Sequence, residues 1–519
     1  MAPSLASLAL TLALVGAQVL LVGAFDNSRY DNVAVYWGQN SYGAVNSANT
    51  ANWQQPLAFY CQDDAIDVFP LAFLNVFFGP GGEPSLNLAN TCNPTDNATF
   101  SGTNLPICTS VGTDIKTCQA KGKIVTLSLG GATGSVGFTG DSQAESFADT
   151  IWNLFLGGSS STRPFGDAVL DGVDLDIEGG TSTGYAAFIN RIQSHASGAS
   201  KKYYITGAPQ CVYPDASLGG VLNTASFDAI YVQFYNNPCG LQNFNEASNW
   251  DFGIWDNWAR TISPNPNVKV YIGAPASSSA AGSGYQSIST LQSIAAQTRK
   301  AFPSFGGVML WDASQAYANS RYDLAIKNTL TAAGGTGFTF PACSAPAFVS
   351  GTGYAGGSQV SYNGYVWEAK WWSSNTPSAN SNGDWSAISA CAGTGTASSS
   401  PSGPSSTAPA SGGCSGVAAW SSTTVYTGGQ QASYGGDLWT AKWWTEGDTP
   451  GGEHRAAPRA FRTNEKGGAD PPPFFASARA GSAGAWQDDG ACVAARRVEA
   501  RAAAPLPSRP RTASRLFRL

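Results

Sequence analysis

The sequence predicts an α/β fold: a (β/α)₈ barrel over residues 25–340, followed by two small β-rich modules at 343–391 and 414–492. Three observations carry that expectation. Eight short apolar, β-rich runs recur between residues 31 and 315, separated by segments of helix length. Runs apolar on both faces suit a parallel sheet covered by helices, and eight such units suit a closed barrel. A Trp-rich stretch then occurs twice, YAGGSQVSYNGYVWEAKWW at 354–372 and YTGGQQASYGGDLWTAKWW at 426–444. The two match without gaps at an offset of 72, which marks a duplicated unit. Between the copies, residues 392–413 are rich in Ser, Gly and Pro and read as a linker.

Residues 1–24 are apolar and end in Val22-Gly23-Ala24, which reads as a secretory signal peptide, although its start lacks Lys and Arg. No later run reaches the roughly 18 apolar residues of a membrane span. The expected location is extracellular, with cell-wall association open. Ten cysteines fit an oxidising compartment and up to five disulfides. Asn97-Ala98-Thr99 places an N-glycosylation acceptor at Asn97. The net charge of −6 offers no basic field for nucleic acid, and only 12% of residues are charged. With 60 Gly and 16 Trp, the composition suits a secreted protein that handles a neutral polymer. The two histidines, His195 on an expected outer helix and His454, cannot build a Ser-His-Asp triad or a His-rich metal site easily. No cysteines form a CxxC pair, so no metal and no cofactor are expected. A monomer is expected.

The barrel runs are NVAVYWGQN, VFPLAFLNVFF, KIVTLSLGGA, GVDLDIEGG, YYITGAPQC, AIYVQFYNNP, KVYIGAPA and GGVMLWDAS. Each ends in polar, Gly or aromatic residues, at the end where such barrels place their sites. The fourth is unusual. In a strand, residues two apart share a face, so Asp174, Asp176 and Glu178 point into the barrel while Val173, Leu175 and Ile177 point to the helices. Asp171 faces away and is expected to be structural. Stacked acids cannot all ionise cheaply, which raises at least one pKa. A protonated Glu178 at the barrel mouth is a candidate general acid.

DGVDLDIE resembles the DxxDxDxE signature of glycoside hydrolase family 18. VYWGQN, SLGG, YVQFYNNPC and GGVMLW resemble the plant-type (class III) chitinases of fungi and plants, over about residues 26–335. The resemblance implies a secreted endochitinase that cleaves β-1,4 bonds between N-acetylglucosamine units with retention. The substrate's own acetamido oxygen is then the nucleophile, an exception to the two-carboxylate scheme. Carried onto this chain, Glu178 protonates the leaving oxygen and later activates water, Asp176 binds the acetamide N–H, and Asp174 supports Asp176. Tyr235 would hydrogen-bond the acetamide oxygen, and Trp311 would floor the sugar. Tyr36, Gln39, Gly131, Gln233 and Asn236 are expected substrate contacts. The resemblance also implies the pairs Cys61–Cys118, Cys92–Cys108 and Cys211–Cys239. One bridge per module is expected, Cys343–Cys391 and Cys414–Cys492.

The AKWW of both copies resembles carbohydrate-binding modules of families 5 and 12, which bind chitin. Chitin and chitooligosaccharides are the expected partners. Candidate binding residues are Trp367, Trp371 and Trp372 in the first copy and Trp439, Trp443 and Trp444 in the second. Strand alternation predicts one ring of each WW pair buried and the other exposed. The barrel is expected to fold without either module.

The second copy carries an anomaly. Trp372 to Trp385 is 13 positions and Trp444 to Trp486 is 42, a surplus of 29. Eleven of the 17 arginines follow residue 452. Gly452-Glu453-His454 can be encoded with GTGAGC, and Arg479-Ala480-Gly481 with an intron-ending CAG. Residues 453–481 therefore read as a retained intron, and 493–519 as an Arg-rich disordered tail. A non-catalytic lectin or inhibitor on the same barrel is an alternative that typically lacks the acid Glu. Cleavage of peptidoglycan or N-glycan cores is another.

Overall fold

The computed structural model describes residues 25–393 and, beyond them, 417–422, 424–426, 430–441, 445–446, 449–450 and 486–491. The signal segment, the 453–481 insert, the tail, Trp443, Trp444, Cys414 and Cys492 lie outside the described residues.

Eight parallel strands close into a barrel. They are β1 (Asn32–Val35), β2 (Val68–Val76), β3 (Ile124–Gly130), β4 (Gly172–Asp176), β5 (Tyr204–Gly207), β6 (Ala229–Gln233), β7 (Lys269–Pro275) and β8 (Phe305–Trp311). Neighbours in sequence pair throughout, and β8 pairs with β1, which also meets β2 at Ala34 and Val68. Every one of the eight runs became a strand. Their alternate residues separate two cores. Val33, Val35, Val173 and Leu175 pack outward under the helices, while Ala34, Tyr36, Tyr231 and Met309 fill the interior.

The helices form because their apolar residues recur at helical spacing. In α1 (Thr109–Ala120), Val111, Ile115 and Cys118 are buried; in α2 (Asp141–Phe155), Ala144, Phe147, Ala148, Ile151 and Leu154 are. α3 (Tyr185–Ala196) buries Phe188, Ile189 and Ile192. α4 (Phe252–Thr261) and α5 (Ile288–Ala301) follow, and Ser287 caps α5 by accepting the Thr290 N–H. Among the described residues no helix is long and apolar enough to cross a membrane.

The first small unit is a three-stranded antiparallel sheet of β9 (Gln359–Tyr362), β10 (Tyr365–Ala369) and β11 (Trp385–Ala390). It belongs to the same compact unit as the barrel, and the two share one buried cluster. Phe348, Trp367, Trp385 and Ala387 continue the core that holds Phe252 and Trp255. The barrel, expected to fold without either module, thus shares part of its core with the first one. Cys61–Cys118, Cys92–Cys108, Cys211–Cys239 and Cys343–Cys391 are bonded.

The second copy lies in the other compact unit. It is a sheet of β12 (Gln431–Tyr434), β13 (Asp437–Ala441) and β14 (Trp486–Ala491). Its registers repeat those of the first copy: Ala432 opposes Trp439 as Val360 opposes Trp367, and Ala441 opposes Trp486 as Ala369 opposes Trp385. β14 thus takes its place in the sheet from beyond residues 453–481.

Candidate active site

The register of β3, β4 and β5 builds the carboxylate stack. Ser128 and Thr206 stand opposite Asp174 on its two neighbours, so all three share the inward face. Both hydroxyls donate to Asp174 at 2.7 Å, and Tyr36 donates a third bond at 2.7 Å. Asp174 is fully buried, and burial raises its pKa against those three donors.

Asp176, one step towards the mouth, is served less well. Gln233 donates to it at 2.9 Å. Its pKa lies well above the ordinary carboxylate value, first through burial, then through the charges of Glu178, Asp174 and Asp215. Glu178 follows at the rim and is half-buried. Burial raises its pKa too; the Gln233 amide opposes this and the Asp215 charge adds to it. Both carboxyls are thus held above the ordinary carboxylate range and titrate as an interacting pair.

A pocket of about 370 Å³ opens over these acids. Asp176, Glu178, Tyr235, Gln233, Gln39, Gly131, Asn236 and Trp311 all line it. Gln39 is fixed by donating to the carbonyls of Ala72 (2.9 Å) and Asn87 (3.0 Å). Gly131 has φ +82° and lies so close to the Phe73 ring that a Cβ would sit 2.7 Å from it, so a side chain there would clash with that ring. Asn236 accepts the N–H groups of Gly282 and Ser283, which pins the loop beside Tyr235. Trp311 lies 5.8 Å from Phe73 in a stacked pair.

Tyr36 does not line the pocket. It follows Ala34 on the inward face, is 1% exposed, and its hydroxyl is spent on Asp174. It supports the stack from inside the barrel. Asp171 lies outside the site; it accepts from Gln119 and Val125 and pairs with Lys201 at 2.9 Å. His195 sits on α3, 2.5 Å from Asp149. Asn97 is half-exposed, and its side chain accepts the Asn93 N–H.

The structure adds residues that pattern reasoning missed. Phe73, Asn75, Asn87 and Thr133 line the pocket. Asp215, on the loop after β5, is buried and accepts three backbone N–H groups, from Gln210, Ser217 and Leu218. Its charge reaches both Asp176 and Glu178. Its loop adjoins Gln233 through backbone bonds at Pro209 and Cys211. The cue was Tyr213-Pro214-Asp215, an acid shortly beyond a Cys that is bonded across to Cys239. Among the described residues no group of three or more His, Cys, Asp or Glu could hold a metal ion.

The tryptophans of the first module divide differently from the expected alternation. Trp367 is buried core, and its indole N–H donates to the Tyr362 carbonyl. Trp371 and Trp372 are both exposed, at 49% and 66%. β10 ends at Ala369, so strand alternation does not reach the pair. In the second copy Trp439 is half-buried and donates to Tyr434 as Trp367 does to Tyr362.

Residues 32–302 match the glycosyl hydrolases family 18, and residues 419–458 match the carbohydrate-binding module family 5/12. Chitinase 2 of Rhizopus oligosporus is 50% identical over 310 residues, which are 60% of this chain and 54% of the relative. Endochitinase 33 of Trichoderma harzianum is 44% identical over 339 residues, 63% of this chain and 99% of the relative. The chain thus spans about half the length of the Rhizopus relative and nearly all of the Trichoderma one. A solved chitinase from Ipomoea carnea shares 33% identity over 57% of this chain and 99% of its own, with a TM-score of 0.48.

Proposed function

Since this chain belongs to the glycosyl hydrolases of family 18, we propose that it is a secreted, endo-acting chitinase of the plant-type class that cleaves β-1,4 bonds of N-acetylglucosamine polymers with retention. The observation that carries this is the graded stack Asp174–Asp176–Glu178: three donors on the deepest acid, one side-chain donor on the middle one, and the last at the pocket rim.

In this reaction Glu178 is protonated and gives its proton to the glycosidic oxygen as that bond breaks. The acetamido oxygen of the same sugar attacks the anomeric carbon from the opposite face, giving an oxazolinium ion. Asp176 accepts the acetamide N–H and offsets the positive charge that develops. Tyr235, buried beside Asp176 and Glu178, donates to the acetamide oxygen and fixes its line of attack. Glu178, now a carboxylate, takes a proton from the water that opens the ring. Trp311 supplies the flat apolar floor. Gln233 keeps Asp176 and Glu178 in register.

Both small units are then chitin-binding modules. The matched one is the second copy; support for the first comes from the repeated sequence and the repeated strand register.

The test is Glu178→Gln, which keeps the shape and removes the proton. Hydrolysis of chitooligosaccharides should fall by about 10²- to 10⁴-fold, with chitin binding retained. A variant that keeps more than about a tenth of the activity sinks the assignment.

A further inference from the structure

The first module is held on the barrel by a built seam. Asp256 of α4 is fully buried; it accepts the Ser304 N–H at 2.9 Å, the Ser304 hydroxyl at 2.5 Å and the module's Tyr365 hydroxyl at 2.6 Å. Arg260 lies over the Tyr365 ring at 4.9 Å. Gly253 approaches β11 so closely that a Cβ would sit 2.0 Å from the Ala387 carbonyl oxygen. Ser381 and Ser386 of the module donate to the carbonyls of Tyr213 and Ala247.

Those last two acceptors matter for the site. Tyr213 lies on the loop after β5 that carries Asp215, and Ala247 on the loop after β6 that carries Tyr235 and Asn236. The module is therefore braced against the loops that shape the mouth. A cavity of about 230 Å³ lies between the two, with Pro238, Cys239, Asn249, Lys370 and Asn382 in its wall. Asn236 lines the mouth pocket, Pro238 lines this cavity two residues on, and Lys370 of its far wall immediately precedes Trp371.

Trp371 is exposed yet fixed. Its indole N–H donates to Asp384 at 2.8 Å, and Asp384 is held in turn by Ser373 and Asn375. That bond lies in the ring plane, and the residue is still 49% exposed. A rigid exposed indole loses little freedom when a sugar stacks on it.

The second copy differs in sequence at the seam positions. Tyr365 corresponds to Asp437, and the docking strand WSAISA corresponds to WQDDGA. Small neutral residues suit packing against a helix, and the second copy has two adjacent aspartates at those positions instead. The duplicated units have thus diverged at the docking positions and kept their WW pairs.

We propose that the first module is a fixed outward extension of the catalytic cleft, in which Trp371 and Trp372 stack on outer sugars of the same N-acetylglucosamine chain that is cut at Glu178. This rests on the chitinase reading of the barrel. The second module, whose sequence differs at the docking positions, serves attachment to insoluble polymer.

Two double variants of the full chain test this, Trp371→Ala with Trp372→Ala, and Trp443→Ala with Trp444→Ala. The probes are N-acetylglucosamine oligomers of increasing length and soluble glycol chitin. The first variant should match wild type on the shortest oligomers that are cut, and KM should rise about tenfold on long oligomers and glycol chitin, as expected for two lost stacking contacts. The second should leave all soluble kinetics unchanged and weaken adsorption to insoluble chitin. Unchanged KM in the first variant, or equal shifts in both, overturns the proposal. Trp371 and Trp372 are exposed, and retained short-oligomer turnover reports that the barrel is intact. A wild-type chain that cuts no oligomer of any length overturns the chitinase reading itself, and the extension with it.

Discussion

Asp176 and Asp256 are both buried carboxylates, and they are served very differently. Asp256 accepts three hydrogen bonds and has Arg260 at 3.5 Å. Among the described residues Asp176 accepts one side-chain N–H, from Gln233, beside two further acids. A buried acid whose lone pairs are filled fixes structure. A buried acid left short of donors stays ready for a proton or for an incoming N–H. The first kind joins the barrel to its neighbour module; the second is the kind that the proposed reaction needs.

Four substitutions sharpen that contrast. Asp176→Asn should have the largest effect, lowering kcat by about 10²-fold or more, because the developing charge loses its partner. The same variant should be more stable than wild type. Asp176 has a folded pKa raised well above its ordinary 3.8. The native state then binds more protons than the unfolded one, so stability falls as pH rises from 3.8 through the folded value. That cost grows as pH rises above 3.8, and Asn does not carry it. Thermal unfolding should show a higher Tm for the variant at neutral pH and a vanishing gain in strong acid. A variant less stable at every pH breaks the contrast.

Asp256→Ala should do the opposite. It strands the Tyr365 and Ser304 hydroxyls in a dry seam, at about 3 kcal/mol. Turnover of short oligomers per folded molecule should be unchanged. Cutting the chain after Phe340 should lower the barrel's Tm in the same way, while a cut after Gly393 should not. Tyr365→Phe removes one bond to Asp256 and should cost about 1.5 kcal/mol, roughly half of the Asp256→Ala effect.

Asp215→Asn should give the smallest change. The Asp215 charge raises the Glu178 pKa. Without it Glu178 loses its proton at lower pH, so the alkaline limb of kcat moves to lower pH by a fraction of a unit. A pH–rate profile with an unmoved limb would show that Asp215 only braces its loop.

The barrel was legible because the strands are short, largely apolar runs, among which β4 stands out by its acids at alternate positions. Tyr36 shows where the legibility thinned. Its motif marked it as important, but only the strand's phase says that it points inward and touches Asp174. Asp215 left no periodic trace, since it acts from a loop through backbone N–H groups. The exposed Trp371–Trp372 pair escaped because alternation holds only within a strand, and β10 stops before it. The docking of the first module was hidden for a related reason. The conspicuous linker follows that module, whereas the join before it rests on Gly253, Asp256 and Tyr365, three residues that only the fold brings together.

The most direct measurement is the anomeric form of the first product. Proton NMR of a chitooligosaccharide digest, read before mutarotation, should show the new reducing end as the β anomer, as retention through the substrate's own acetamide requires. An initial α anomer would mean that water attacks directly, and would contradict the roles of Asp176 and Tyr235 in guiding the acetamide and of Glu178 as acid and then base.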